Sequence, residues 1–204
     1  MQHVEIKNLN DVYLTGSFGG ITMDNCSGIT FNSAGGYVVH GLFTRCAYTS
    51  GKGNFRMIDC VYDKCDNVLL STANANTLIK NSIVHMNSPV TGIGTKYINC
   101  TLYIGIQNIY KQFNAESCNI IPETQIIIDN SGPAASYKLR LINNTINGQV
   151  SFYPMPAEIR GNKSSDMFFI IYGGPLNAYN PSIDETAKIY ILNNICKGIN
   201  FNNF

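Results

Sequence analysis

The sequence predicts an all-β fold: one domain over residues 1–204, in which short strands wind into a solenoid of parallel sheets. Three observations lead there. Two spaced apolar residues, followed by an Asn-like and then a Cys-like residue, recur from end to end, as in ITMDNCSGITF, TKYINCTLYIG, KLRLINNTING and KIYILNNICKG. The step between copies averages about twenty residues, the length of a solenoid repeat. Within each copy the apolar residues alternate with the period of two that marks a strand, and no ten-residue stretch carries a helical period.

Taken in order, the copies occupy residues 4–9, 21–26, 41–46, 55–60, 77–82, 95–100, 113–118, 139–144, 157–162 and 189–194. In the first, Val4 and Ile6 face one way and Glu5 and Lys7 the other; Asn8 and Leu9 turn a corner, and Val12 and Leu14 open the next strand. The second repeats this with Ile21, Met23, the corner Asn25-Cys26, then Ile29 and Phe31. Residues 41–46 match weakly and are placed by Cys46, whereas 55–60 match through Met57, Asp59 and Cys60. The remaining copies end on Asn81-Ser82, Asn99-Cys100, Ser117-Cys118, Asn143-Asn144, Gly161-Asn162 and Asn193-Asn194.

Stacked coils bring like positions to about 4.8 Å from one another. One column then reads Asn8, Asn25, Arg45, Asp59, Asn81, Asn99, Ser117, Asn143, Gly161, Asn193. Asn suits a corner because it tolerates left-handed backbone, and stacked amides can bond each other up the column. This column is expected to be internal. The adjacent one reads Leu9, Cys26, Cys46, Cys60, Ser82, Cys100, Cys118, Asn144, Asn162, Asn194, so five of the seven cysteines share a slot. Small, weakly polar Cys packs well in such a stack. These thiols are expected as core filler and not as nucleophiles or disulfides, and they imply folding in a reducing cytoplasm.

HVEIKNLNDVYL, with its corner Asn, resembles the right-handed parallel β-helix proteins, a superfamily that includes pectate lyases, polygalacturonases and bacteriophage tailspikes. The likeness runs from about residue 3 to 201. It implies a right-handed parallel β-helix of nine to ten coils, a rod of about 45–50 Å. It does not by itself imply an activity, because the fold hosts many. The Asn-Thr-Asp, Asp-Asp, Gly-His-Gly and Arg-Ile-Lys motifs of polygalacturonases are absent; His40 precedes Gly41 but follows no Gly. The dense acidic calcium cluster of pectate lyases is absent too. The chain is closest in character to tailspike and tail-fibre modules, which implies, by analogy alone, a homo-trimer.

Composition narrows the field. Only 13% of residues are charged, the net charge is +1 and the pI is near 7.5, so there is no long-range field for nucleic acid and no basic run to bind it. No apolar stretch is long enough to cross a bilayer, and MQHVEIKNLN lacks the basic and apolar regions of a signal peptide. The seven cysteines and His3, His40 and His85 fit no zinc spacing, so no metal and no cofactor are expected. Gly-, Pro-, Asn- and Ser-rich stretches predict protruding loops near 32–54, 65–77, 129–137 and 172–187.

Catalysis on a glycan needs two carboxylates at a set separation. Alternation puts Glu116, Arg140, Glu158 and Arg160 on one outward face, with the two acids about two coils, roughly 10 Å, apart. Glu116 and Glu158 are the candidate catalytic acids of an enzyme; Arg140 and Arg160 would bind ligand beside them. The ordinary alternative is a set of cross-strand ion pairs. Asp59, Asp63 and Asp66 read as corner and turn residues. Tyr48, Tyr172 and Tyr179, in the predicted loops, are further ligand-binding candidates, since Tyr offers an apolar face and a polar tip. Four Asn-x-Ser/Thr matches, at Asn25, Asn99, Asn143 and Asn162, fall in the corner columns, where glycosylation is not expected. The expected function is a non-catalytic or weakly catalytic module of a phage or virus tail, or of a cell-surface appendage. It would recognise host surface polysaccharide or scaffold the assembly alongside other structural proteins. The alternatives are a polysaccharide hydrolase or lyase, and a plain structural spacer.

Overall fold

The computed structural model describes residues 3–32, 36–52, 56–69, 74–75, 77–86, 95–105, 108–110, 113–129, 139–152, 156–166, 168–172 and 188–203. Its strands pair in parallel around three sides, and no helix occurs among the described residues. The chain is an all-β parallel solenoid. The first side stacks ten strands: Val4–Lys7, Ile21–Asp24, Gly41–Thr44, Val61–Asp63, Leu78–Lys80, Lys96–Ile98, Phe113–Glu116, Leu139–Ile142, Ala157–Arg160 and Ile189–Leu192. The second side stacks nine: Tyr13–Leu14, Thr30–Asn32, Ala47–Lys52, Asp66–Leu69, Ile83–Met86, Thr101–Ile104, Asn119–Pro122, Thr145–Ile146 and Lys163–Ser164. The third carries a three-stranded sheet within residues 37–75 and a five-stranded one within residues 108–203.

Complete turns are fewer than the nine to ten expected. Among the described residues, seven turns have a strand on all three sides, those opening at Ile21, Gly41, Val61, Lys96, Phe113, Leu139 and Ala157. At either end one side thins to a single bridge, Phe18 with Val38 and Lys163 with Ile195. Residues 32–54, expected as a loop from their glycines, carry the strands Tyr37–Val39, Gly41–Thr44 and Ala47–Lys52. Asp66–Leu69 and Asn74–Ala75 are strands within 65–77, while residues 130–138 and 173–187 lie outside the described residues.

The corner between first and second sides places the columns, with two corrections. Its turning residues are left-handed: Asn8, Asn25, Arg45, Lys64, Asn81, Asn99, Ser117, Asn143 and Asn193, with φ between 51° and 56°, and Gly161 at 66°. The fourth member is Lys64, not Asp59, and its neighbour in the slot is Cys65, not Cys60. Asp59 and Cys60 belong instead to the corner between third and first sides, after Arg56–Ile58 and beside His40. The second correction concerns direction. Asn8, Asn25, Asn81, Asn99, Asn143 and Asn193 are all exposed, so the Asn column is external. A left-handed residue interrupts the alternation: Asp24 and Asn25 both face solvent, and Cys26 turns inward. The amides still stack, Asn25 Nδ2 donating to Asn8 Oδ1 and Asn99 Nδ2 to Asn81 Oδ1, each at 2.8 Å.

The slot after each corner is the buried column. Cys26, Cys46, Cys65, Ser82, Cys100, Cys118, Asn144 and Asn162 are each at most 3% exposed. Their side chains do one job. Ser82 Oγ donates to Lys80 O at 2.7 Å, and Cys100 Sγ reaches Ile98 O at 3.2 Å and Ile79 O at 3.4 Å. Asn144, Asn162 and Asn194 donate through Nδ2 to Ala115 O, Leu141 O and Ile159 O at 2.8–3.0 Å. In return each slot accepts from the backbone amide one coil earlier: Cys65 N to Ser82 Oγ, Cys118 N to Asn144 Oδ1, Asn144 N to Asn162 Oδ1, Asn162 N to Asn194 Oδ1. Corner backbone that no strand partner satisfies thus finds side-chain partners in the interior, as buried polar groups must. Alongside runs a packed column of Met23, Phe43, Tyr62, Ile79, Tyr97, Ala115, Leu141 and Ile159, with Phe43 and Tyr62 stacked at 4.5 Å. Each large side chain so buried contributes about 1.5–3 kcal/mol.

Candidate functional site

Among the described residues packed side chains fill the interior, so solute meets only the outward-facing groups. On the first side register sets Arg140 beside Glu158 in one outward column and Glu116, Ile142 and Arg160 in the next. The sequence-predicted quartet is therefore together on one face, and its chemistry is visible in the contacts. Arg140 Nε donates to Glu158 Oε2 at 3.0 Å, Arg160 Nη2 lies 3.8 Å from Glu158 Oε1, and Lys96 Nζ lies 3.0 Å from Glu116 Oε2. Lys96, an acid's partner, was missed in the sequence although its place three residues before the corner residue Asn99 marks it as outward. Ile142, in register between Glu116 and Arg160, is only 3% exposed. Half-exposed pairs of this kind each contribute a few tenths of a kcal/mol.

The pairing continues down the side. Arg45 binds Asp24 through Nε and Nη2, and its guanidinium holds the Asp24 carboxyl below the usual range. Asp63 is lowered first by the amide of Asn81, which donates at 2.9 Å, then by Lys80 at 3.3 Å. Asp59 is 4.0 Å from His40 Nδ1 at the other corner, and Asp66 is exposed on the second side. Of the tyrosine candidates, Tyr48 and Tyr172 fall in strands whose side chains are outside the described residues, as is the whole of Tyr179.

The thiols offer no exposed nucleophile in the slot. Burial pushes Cys60 up to about 11, and Cys65 and Cys118 are pushed up by the thiol bonds to Cys46 and Cys100 and by burial. Cys46 is drawn down to about 7 by its bond from Cys65, yet it is 1% exposed and out of reach of solute. Cys196, half-buried, is free. Among the described residues no three His, Cys, Asp or Glu side chains gather as metal donors, and no helix is long and apolar enough to cross a membrane.

The second side differs in kind, and sequence reading passed over it. Its outward columns read Ile83, Thr101, Asn119, Thr145 and His85, Tyr103, Ile121. His85 and Tyr103 stack at 4.9 Å with planes 14° apart, and Tyr103 is 41% exposed. The signal was present: both residues stand three places after a slot, at Ser82 and Cys100, where alternation points outward. Comparison with protein-family models and with curated proteins returns no match. Two outward faces of a parallel β-solenoid thus carry the candidate groups, ion pairs on one and neutral polar side chains on the other.

Proposed function

We propose that this protein is a non-catalytic solenoid module of a phage or virus tail, or of a cell-surface appendage, that recognises host surface glycans. One observation carries the reading. The acids on which hydrolysis would depend are held in ion pairs, Glu116 with Lys96 and Glu158 with Arg140 and Arg160, while a neighbouring side of the same coils presents neutral polar groups. A general acid needs room for substrate at its oxygen, and a cation bonded to each carboxylate fills that place. A repeat surface of fixed spacing suits an extended polymer, as concave or flat solenoid faces do elsewhere. The protein's partners in this reading are a surface polysaccharide and the other structural proteins of the assembly, with trimerisation by analogy to tailspikes. Its place is the virion tail or the extracellular surface.

Incubation with capsular polysaccharide or lipopolysaccharide, with assay of new reducing ends and unsaturated products, tests this. Retention of the glycan without new ends is the expected result. Turnover abolished by Glu116→Gln or Glu158→Gln would make the protein an enzyme, and a spacer would retain no glycan.

A further inference from the structure

Charge is segregated between two sides of the solenoid. The first carries the ion pairs of Glu5, Asp24, Asp63, Glu116 and Glu158 with Lys7, Arg45, Lys80, Lys96, Arg140 and Arg160. On the second, four successive strands, Ile83–Met86, Thr101–Ile104, Asn119–Pro122 and Thr145–Ile146, contain no Lys, Arg, Asp or Glu. The nearest formal charges border them: Asp66 on the strand before, Glu123 at a strand end, and Lys163 on the strand after. What replaces charge is a ladder of neutral hydrogen-bonding groups. Thr101, Asn119 and Thr145 stand in one column, with Asn147 Nδ2 bonded to Asn119 Oδ1 at 3.3 Å. In the next column Tyr103 stands between His85 and Ile121, stacked on the imidazole and in register with the isoleucine. Ring stacking along the column leaves the ring edge and the phenolic hydroxyl to face outward. Among the described residues the hydroxyls of Thr101, Tyr103 and Thr145 bond no protein group.

Resting on the glycan reading above, we infer that the second side from Ile83 to Asn147 binds a neutral, hydroxyl-rich oligosaccharide lying along the solenoid axis. Thr101, Tyr103, Asn119 and Thr145 are its hydrogen-bonding contacts. Hydroxyl and amide groups both donate and accept, which matches sugar hydroxyls, and they recur at the coil spacing of about 4.8 Å. An acidic glycan would bring carboxylates or sulfates to four strands that carry no Lys or Arg, at the desolvation cost of an unpaired charge. Lys163, in register with Thr145, could meet them only at one end of the face, and the cations of the first side are already paired.

The test is a glycan array holding neutral hexose and N-acetylhexosamine oligosaccharides beside uronate-, sialate- and sulfate-bearing ones, followed by affinity measurements on the best ligand. Binding confined to neutral glycans is expected. Tyr103→Phe, which keeps the stack and removes one hydroxyl, weakens it by about threefold to tenfold, and Tyr103→Ala by more. Arg140→Ala and Arg160→Ala leave it within about twofold. Thermal melts of the exposed-site variants check that each is folded. Binding confined to acidic glycans, lost with Arg140→Ala and Arg160→Ala and kept with Tyr103→Ala, would overturn the assignment of this face while leaving glycan recognition standing. No binding to any glycan would sink both.

Discussion

Asn162 accepts from both the backbone amide and the side chain of Asn144 at 2.9 Å and donates to Leu141 O at 2.8 Å. Truncation to alanine leaves those partners unpaired in an interior that water does not reach, so Asn162→Ala is expected to lose roughly 3 kcal/mol or more in urea denaturation. Cys100→Ser is the contrasting case. Ser82 already fills an equivalent position two coils from Cys46 with a hydroxyl bonded to the backbone, so the exchange should move stability by less than about 1 kcal/mol. At this scale the sequence made one thing plain: Cys, Ser and Asn share a column. It hid which column faces inward, because residue identity carries no direction. The left-handed φ of Asn25 or Asn99 turns the Asn out and its successor in, and that is a backbone fact.

The first side depends on its corner ladder and on its ion pairs. Gly161 sits at φ 66°, and a Cβ there would come within 2.2 Å of Asn143 Oδ1. Gly161→Ala therefore adds left-handed strain to a collision with the corner column, and about 1–2 kcal/mol of lost stability is expected by thermal or chemical denaturation. The acids act through pH. Asp63 has its folded pKa lowered below 3.8 by Asn81 and Lys80, so its contribution is present above the unfolded value and is lost as pH falls through the lower folded one. Asp63→Asn should accordingly be less stable than wild type at pH 7, with the difference shrinking below about pH 4, in denaturation curves at several pH values. Nine of the ten corner segments were legible from the recurring pattern. The tenth was misplaced because RMIDC and VYDKC both read as alternating residues, a polar corner and Cys; only the pairing of Val61–Asp63 with Leu42–Thr44 and Leu78–Lys80 separates them. The Glu116, Arg140, Glu158 and Arg160 face followed from alternation alone, whereas the pairing of Lys96 with Glu116 and of His85 with Tyr103 needed register between coils.

For the whole molecule, each coil touches chiefly its neighbours, so stability and surface both extend along one axis. That is what lets one side hold charge in pairs and another stay neutral over four strands. The claim beneath all of this is that interior side chains bind the backbone of the preceding coil. Amide hydrogen exchange tests it most directly, because Cys118, Asn144 and Asn162 lie in corners outside any strand and their amides bond only the side chain of the next coil. These three amides should exchange among the slowest in the protein, near the rate of global unfolding. Exchange within minutes, as exposed turns show, would contradict the stacked column and the two faces built on it.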